Sequence, residues 1–516
     1  MTEYDSCVIM MMNPSENMKN TRKDFTMSVW KKTLTLLLAA LTLTQMVACG
    51  GSQEAVTTLA TTTAATTEDP MNSPTPGIAV LTPEEKSTYG ELAARNAERA
   101  NILAKGLEKA FINDRGGFSV GMYSLTTSSR PTGKASVWHL SAVLSMTSKL
   151  WSLDAGGQGA HYQALYGDLY KLMQYHKGTG QIVTYQGTFK QTMYAVDRAN
   201  SPNSASLAGK AAVYDDQMWI IRELIYAYQL TKEEKYLTEA IELTDVVLKG
   251  WDTTVIDGKE VGGICWGPGY ETKHTCSNAP MIQPLVELYE IFAAEGRTME
   301  TDYLEWAIKI YDWCNDYLLR SDAIYGDLVG SSRTEQGLGS AKKFVTTSQS
   351  KGLDQNAYAY NTGTMISGGA CLYRVTGEKR YLTQAKNCAK AAYREFTVKD
   401  KATGLTQYTA KGNSIYNSTV WFNLILLEGY LDLFPYDPLC KKYIDAFQTS
   451  LDYGFENHLD NNNLLPRDLL KGWDIKATKP GDDNTKPDLN KDVMDQAACA
   501  EIYAQLAEFY AYLATQ

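Results

Sequence analysis

The chain has little that would bind a metal, a nucleic acid or the interior of a membrane. Its five histidines are scattered with no HxH or HxxxH pair, and none of its nine cysteines has CxxC spacing. No metal site, and no other cofactor, is expected. Basic residues number 49 against 59 acidic ones, a formal charge of −10 at pH 7, which is the wrong sign for a nucleic-acid partner. Alternating β-branched runs are nearly absent, which argues against a sheet protein. The apolar stretch 33–47 is too short to span a bilayer. Phenylalanine, at 12, is scarce beside 33 tyrosines and 10 tryptophans. Rings that carry a polar handle suit carbohydrate surfaces, and soluble cores equally. What remains, 44% hydrophobic and 21% charged over 516 residues, is the composition of a globular protein.

Lys31 and Lys32 lead into 33–47, which has the length of a signal-peptide h-region. It ends in Met46-Val47-Ala48-Cys49-Gly50, small residues before a cysteine, which resembles a bacterial lipobox; an ordinary signal peptide ending near a Cys is the alternative. The expectation is a signal peptide over 1–48, with Met27 a better start than Met1 and 1–26 a mis-called start. Cys49 is then the lipidated mature N-terminus of an exported bacterial lipoprotein, at the cell surface or on a periplasm-facing membrane. Residues 49–81, rich in Thr, Ala, Ser and Pro, read as a flexible tether, and 82–516 as one domain, expected to be a monomer. Cys371, Cys388 and Cys499 fall inside apolar helical patterns as small hydrophobes. The spacing of Cys265 and Cys276 makes a disulfide across their loop conceivable.

Thr82-Pro83-Glu84-Glu85 has the form of a capping box with Pro at the first helical position. From there the apolar period predicts twelve helices, near 82–110, 136–153, 162–175, 217–230, 236–249, 279–293, 303–319, 360–375, 380–396, 418–433, 438–453 and 494–514. They come in pairs with a recurring joint. Tyr228 with Tyr236-Leu237 and Ala240 matches Tyr373 with Tyr381-Leu382 and Ala385; Tyr289 with Tyr303 and Tyr430 with Tyr443 repeat it more loosely. The Ala leaves room for a neighbouring helix. Six pairs close an all-α (α/α)6 barrel, while a TPR-like superhelix uses similar positions.

If outer and inner helices alternate, the inner ones all begin at one end of the ring. Their starts carry Trp138-His139, Tyr214-Asp215-Asp216, Asn278, Tyr360-Asn361, Trp421 and Asp495. Helix N-termini offer free N–H groups and positive potential, which favour carboxylates and sugar hydroxyls. Asp215-Asp216 is the sharpest element. Read blandly, it is a helix cap followed by a dipole-favoured acid. Read as chemistry, adjacent side chains at a helix start place two carboxyl groups about 5 Å apart, the separation of a retaining glycosidase. Asp488-Leu489-Asn490-Lys491-Asp492 begins like an EF-hand loop, but Val493 and Cys499 stand where Gly and Glu belong, so it reads as a solvated loop.

Ala212-Val213-Tyr214-Asp215-Asp216-Gln217-Met218-Trp219 resembles the Asp-Asp signature of glycoside hydrolase family 76, the endo-α-1,6-mannanases. The likeness continues through Gly262-Gly263-Ile264-Cys265-Trp266, Lys273 to Pro280, Tyr303 to Ala307, Tyr360-Asn361-Thr362-Gly363 and Thr376 to Leu382. It implies an (α/α)6 barrel and an enzyme cleaving α-1,6-linked mannan with retention, with Asp215 as nucleophile and Asp216 as acid/base. Its partner would be a mannan-type polysaccharide or oligosaccharide. Tyr360 and Asn361 match a Tyr-Asn-x-Gly element, in which Gly363 lets backbone approach a ligand or simply turns into a helix. Trp266 reads as a sugar platform or as core. Asn278 caps a helix and is placed to touch substrate, Asp327 resembles a loop acid of the family, and Tyr214, Trp138 and His139 are substrate-binding candidates by position. At Lys273-His274 the family often reads Lys-Asn, a departure at this subsite. Two other readings stand beside hydrolysis: a transglycosylase on the same scaffold, and a non-catalytic SusD-type glycan-binding lipoprotein in which both aspartates only cap a helix.

Overall fold

The structure, a computed structural model, describes residues 81–112, 119–120, 122–124, 133–256, 258–270, 272–329, 352–409, 420–473 and 490–516. Cys49, the signal peptide and nearly all of the tether lie outside the described residues.

Twelve α-helices occur among the described residues. They are α1 (Pro83–Phe111), α2 (Val137–Leu153), α3 (Gly159–Met173), α4 (Tyr214–Thr231), α5 (Glu234–Leu248) and α6 (Ile282–Glu295), then α7 (Tyr303–Tyr317), α8 (Ala359–Thr376), α9 (Lys379–Glu395), α10 (Val420–Leu433), α11 (Cys440–His458) and α12 (Val493–Thr515). The expected capping box is present: Thr82 Oγ1 accepts from Glu85 N–H, and Glu85 accepts from Thr82 N–H at 2.8 Å. Each inner helix packs on the next, α2 on α4, α4 on α6, α6 on α8, α8 on α10, α10 on α12 and α12 back on α2. Each also packs on an outer partner: α3, α5, α7, α9 and α11 follow their inner helices, and α1 lies along α12. The fold is an (α/α)6 barrel whose first and last helices form the sixth pair.

The joints work as their sequence suggests. Ala385 of α9 faces Gly369 of α8, where a Cβ on the glycine would lie 3.1 Å from the alanine methyl. At the first joint the Tyr228 hydroxyl donates to Glu295 at 2.7 Å and accepts from Arg297 at 3.0 Å, tying α4 to the end of α6. Gly363 meets protein rather than ligand: a Cβ there would sit 2.6 Å from the Ile425 carbonyl, so the glycine exists to let α8 and α10 touch backbone to backbone.

The ring is not apolar throughout. Below its mouth every inner helix contributes a polar side chain to the axis. Arg222 of α4 pairs with Glu428 of α10 at 2.5 Å, and Ser145 and Ser148 of α2 donate to Glu501 of α12 and Glu223 of α4. Gln505 of α12 donates to Glu428 at 3.0 Å, and Ser367 of α8 donates to Gln283 of α6 at 3.0 Å.

Two features depart from expectation. A hairpin of eight-residue strands, β1 (Lys177–Thr184) and β2 (Gly187–Tyr194), joins α3 to α4. It is fastened to α4 by Gln217, whose amide accepts from Tyr194 N–H at 2.8 Å and donates to its carbonyl at 2.9 Å. The stretch read as a solvated EF-hand-like loop is instead, over Asn490–Asp492, a short strand paired with Met122–Ser124, and Lys491 is buried against the Trp473 ring; 488–489 lie outside the described residues. No described helix is long and apolar enough to cross a membrane.

Candidate active site

The inner helices all start at one end, and there the site is built. Helix α4 begins three residues earlier than its apolar period indicates. Its N-cap is Val213, which makes no side-chain cap, and both Asp215 and Asp216 lie inside the first turn. Neither aspartate is the capping residue. The cap is supplied by a neighbouring loop, whose Trp266 carbonyl accepts from Tyr214 N–H at 2.8 Å.

The two carboxyl groups have unlike surroundings. Asp215 is half-buried and receives two hydrogen bonds from its neighbours, the Trp266 indole N–H at 3.1 Å on Oδ2 and the Asp216 backbone N–H at 2.9 Å on Oδ1, with the Cys276 thiol facing it. Asp216 is buried at 8% exposure and, among the described residues, receives no hydrogen bond on its carboxyl group. Burial pushes the Asp215 pKa up and its donors pull it back, leaving it at about 6. Burial pushes Asp216 well above the ordinary carboxylate range, and the adjacent Asp215 charge adds to this. The pair titrates as a unit, with the proton retained preferentially on Asp216.

The loop that carries Trp266 is held rigidly. Gly262 and Gly263 take φ of 69° and 78° beneath the Trp313 ring, conformations that L side chains rarely adopt. Asn278 is fully buried. Its amide accepts from Ile264 N–H at 2.7 Å and donates to the carbonyls of Ile264 and His274, so Asn278 stands at the N-cap of the following turn but its side chain makes no capping bond and clamps the loop instead. A buried ion pair, Lys273 to Asp252 at 2.7 Å, anchors the same segment. Cys265 and Cys276 are free buried thiols, so the disulfide does not form.

Around the pair stands an aromatic wall. Tyr360 stacks on Phe422 at 4.3 Å, Trp421 packs edge-on to Trp219 at 4.7 Å and to Trp138 at 5.4 Å, and Trp138 also lies along Phe422. Tyr360 and Trp138 are half-exposed and contribute to the mouth. Tyr360 and Asp327 face the Cys276 thiol, which brings both to the Asp215 side. His139 is half-buried and bridges α2 to α12, with Nδ1 2.7 Å from Ser136 Oγ and Nε2 3.7 Å from Asp492. Two candidates move inward: Tyr214 is 1% exposed beneath Gly250, and Asn361 is fully buried with its amide unpaired, so neither offers a surface to a ligand. Sequence reasoning missed Cys276 as a neighbour of Asp215 and Phe422 as part of the wall. The signal for Phe422 was its place beside Trp421 at an inner-helix start. Among the described residues no group of three or more His, Cys, Asp or Glu is placed to hold a metal ion.

The sequence pattern of glycosyl hydrolase family 76 matches residues 97–460, which contain both aspartates, the Trp266 loop and the Tyr360 wall. The chain belongs to glycosyl hydrolase family 76. Among solved members of the family, a mannosidase from Bacteroides thetaiotaomicron is similar at 25% identity and TM-score 0.59, covering 80% of this chain and 98% of that one. An α-1,6-mannanase from Salegentibacter sp. HEL1_6 shares the fold at 18% identity and TM-score 0.55, covering 80% of this chain and 99% of its own. A curated relative, the mannan endo-1,6-alpha-mannosidase DCW1 of Candida glabrata, is 30% identical over 144 residues; this stretch spans 28% of the chain and 28% of the length of that relative.

Proposed function

We propose that this family 76 protein cleaves α-1,6-linked mannan backbones with retention, as an endo-acting enzyme. The observation that carries the reading is the split environment of the two adjacent aspartates at the mouth of the ring. Asp215 has the Trp266 and Asp216 N–H donors, which favour its anion, whereas Asp216 has none and lies beside a negative charge. In the first step the Asp215 carboxylate attacks the anomeric carbon. The bond from that carbon to the leaving oxygen breaks, and Asp216 gives that oxygen its proton. In the second step Asp216 takes a proton from water, the water oxygen attacks the same carbon, and Asp215 leaves with its electron pair. Tyr360 and Trp138 supply half-exposed rings against which a sugar face packs.

The relatives support the substrate class. An inactive variant of the Salegentibacter enzyme, with asparagine in place of two consecutive aspartates, is described in complex with α-1,6-mannotriose, and an alanine counterpart with α-1,6-mannotetrose. The reading of Asp215 and Asp216 as mere caps loses support because Val213 holds the cap position. Incubating the protein with linear α-1,6-mannan and following the anomeric signals of the first products by NMR tests the proposal. Retained α-configuration from internal cleavage is expected, and a β-product or no cleavage overturns it. An added acceptor sugar separates hydrolysis from transfer.

We also propose that the chain is an exported lipoprotein held to its membrane through Cys49, supported by the lipobox-like run Met46 to Gly50 behind 33–47.

A further inference from the structure

Trp266 has two attachments to the first turn of α4. Its carbonyl accepts from Tyr214 N–H at 2.8 Å, and its indole N–H donates to Asp215 Oδ2 at 3.1 Å. The ring itself is wedged. Tyr270 packs against it at 4.7 Å and 58°, and His274 at 4.9 Å and 32°. His274 is held in turn, with Nε2 2.9 Å from Thr272 Oγ1 and its N–H on Ser277 Oγ. The Thr272 carbonyl accepts from Trp266 N–H at 2.9 Å, so one residue holds both the Trp266 backbone and the imidazole that packs on its ring. Burial lowers the His274 pKa to about 4, against a small opposing pull from Asp354. The imidazole is therefore an uncharged buttress through the mildly acidic range.

What sets Trp266 apart from the other half-buried rings of the mouth is that its one donor is committed to the Asp215 carboxylate. The other groups facing Asp215 are few: Asp216 on the same helix, the protonated Cys276 thiol and the Tyr270 ring on the loop, Tyr360 of α8, and behind the thiol Asp327. Two of these are carboxylates that favour protonation of Asp215. Lys210 lies over the outer side of this cluster, 4.4 Å from the Tyr270 ring, while the groups that touch the carboxylate and favour its anion are hydrogen-bond donors, the Trp266 indole foremost.

We propose that Trp266, wedged by His274 and Tyr270, is a positioning residue that holds Asp215 as an ionised carboxylate aimed at the anomeric carbon. Its effect on catalysis rests on the reading of Asp215 as nucleophile; its effect on the ionisation of Asp215 does not. The full chain is compared with Trp266→Phe, which keeps an aromatic ring and removes the donor, and with His274→Gln, which keeps a polar partner for Thr272 and removes the buttress. On α-1,6-mannan from pH 4 to 8, Trp266→Phe should move the acidic limb of kcat/KM upward by about one pH unit, costing roughly tenfold at pH 5 with KM within twofold of wild type. His274→Gln should move the limb the same way by less. A KM raised tenfold with an unmoved acidic limb would make Trp266 a sugar platform and overturn the proposal. Independently of turnover, a carboxyl 13C titration of Asp215 in the Asp216→Asn background should show a higher midpoint when Trp266→Phe is added. An unmoved midpoint sinks the proposal even if the enzyme cleaves mannan, and a moved midpoint without cleavage sustains it while the proposed function fails. If Trp266→Phe does not fold, the same titration on His274→Gln decides.

Discussion

The backbone N–H of Asp216 donates to Oδ1 of Asp215 at 2.9 Å, so the residue proposed as acid/base also fixes the carboxylate proposed as nucleophile. Its main chain supports the anion beside it while its side chain avoids becoming one. The N-terminal turn of a helix suits this arrangement, because its N–H groups lack intrahelical partners.

Replacing Asp216 with alanine leaves that N–H in place and removes only the proposed proton donor. Asp216→Ala should lose about 10³-fold in kcat on mannan, whose leaving group needs protonation, and far less on an activated aryl α-mannoside. Added azide should restore turnover on the aryl substrate and give an α-mannosyl azide. Equal losses on both substrates would remove Asp216 from the acid/base role. Asp215→Asn should abolish turnover on both.

The charged axis of the barrel makes stability depend on pH. Burial pushes Glu223 up to about 7, with Lys149 and the Ser145 and Ser148 hydroxyls pulling the other way, and burial with Glu428 and Glu223 pushes Glu501 well above its usual range. A carboxyl group with a raised folded-state value binds its proton more tightly when folded. Its contribution is complete below about pH 4.5 and is lost as pH rises through 7. Glu223→Gln should therefore raise Tm at pH 7.5, by an amount corresponding to about 2 kcal/mol, and leave it nearly unchanged at pH 4.5. Calorimetry at the two pH values checks this; equal shifts at both would show that ionisation is not the cause.

Gly363 lies where α8 and α10 touch, with room for no side-chain atom between its Cα and the Ile425 carbonyl. Gly363→Ala should cost about 3 kcal/mol through overpacking and lower Tm, whereas Gly377→Ala, at a helix end with open space but φ of 70°, should cost about 1 kcal/mol from backbone strain alone. Denaturant unfolding of the two variants separates crowding from strain. A Gly363→Ala variant of normal stability but altered KM would return the glycine to a ligand-facing role.

Cys49→Ala should release the protein from the membrane fraction of an expressing bacterium and abolish lipid labelling, with activity on soluble mannan unchanged. Mass spectrometry of the wild-type N-terminal peptide should find a diacylglycerol-modified cysteine. An unmodified N-terminus elsewhere would make 1–48 an ordinary signal peptide.

Much of the architecture was legible because it rests on local pattern. The apolar period and the Tyr-Leu joints repeat on the scale of single helices, and Ala385 meets Gly369 as its place in the joint implies. The hairpin at 177–194 was not legible. Only a few of its positions, among them Gly178, Ile182, Gln191 and Met193, are buried, and two of those are glycine and glutamine, so no alternation of apolar residues announces it. In the site, the pairing of Asp215 with Asp216 showed in sequence and in resemblance. The roles of Asn278, Tyr214 and Gly363 did not, because each is decided by what packs against it from 13 or more residues away: the Ile264 backbone, Gly250 and the Ile425 carbonyl. A residue type states what a side chain is capable of; its distant neighbour decides which capability is used.

The pairing of α1 with α12 has a bearing on how the molecule comes into being. Arg99 of the first helix binds Asp452 of α11 at 2.7 Å and stacks near the Tyr503 ring of the last, so residues some 400 positions apart in sequence share one seam. A ribosome delivers the 23 residues of α12 after the other eleven helices of the ring, and until they arrive the other inner helices form an open arc with an apolar edge. The barrel is thus a clasp whose two halves are the first and last helices of the ring. Its slow step should be the search that brings them together, and a loss of even the final helix should undo the ring rather than shorten it.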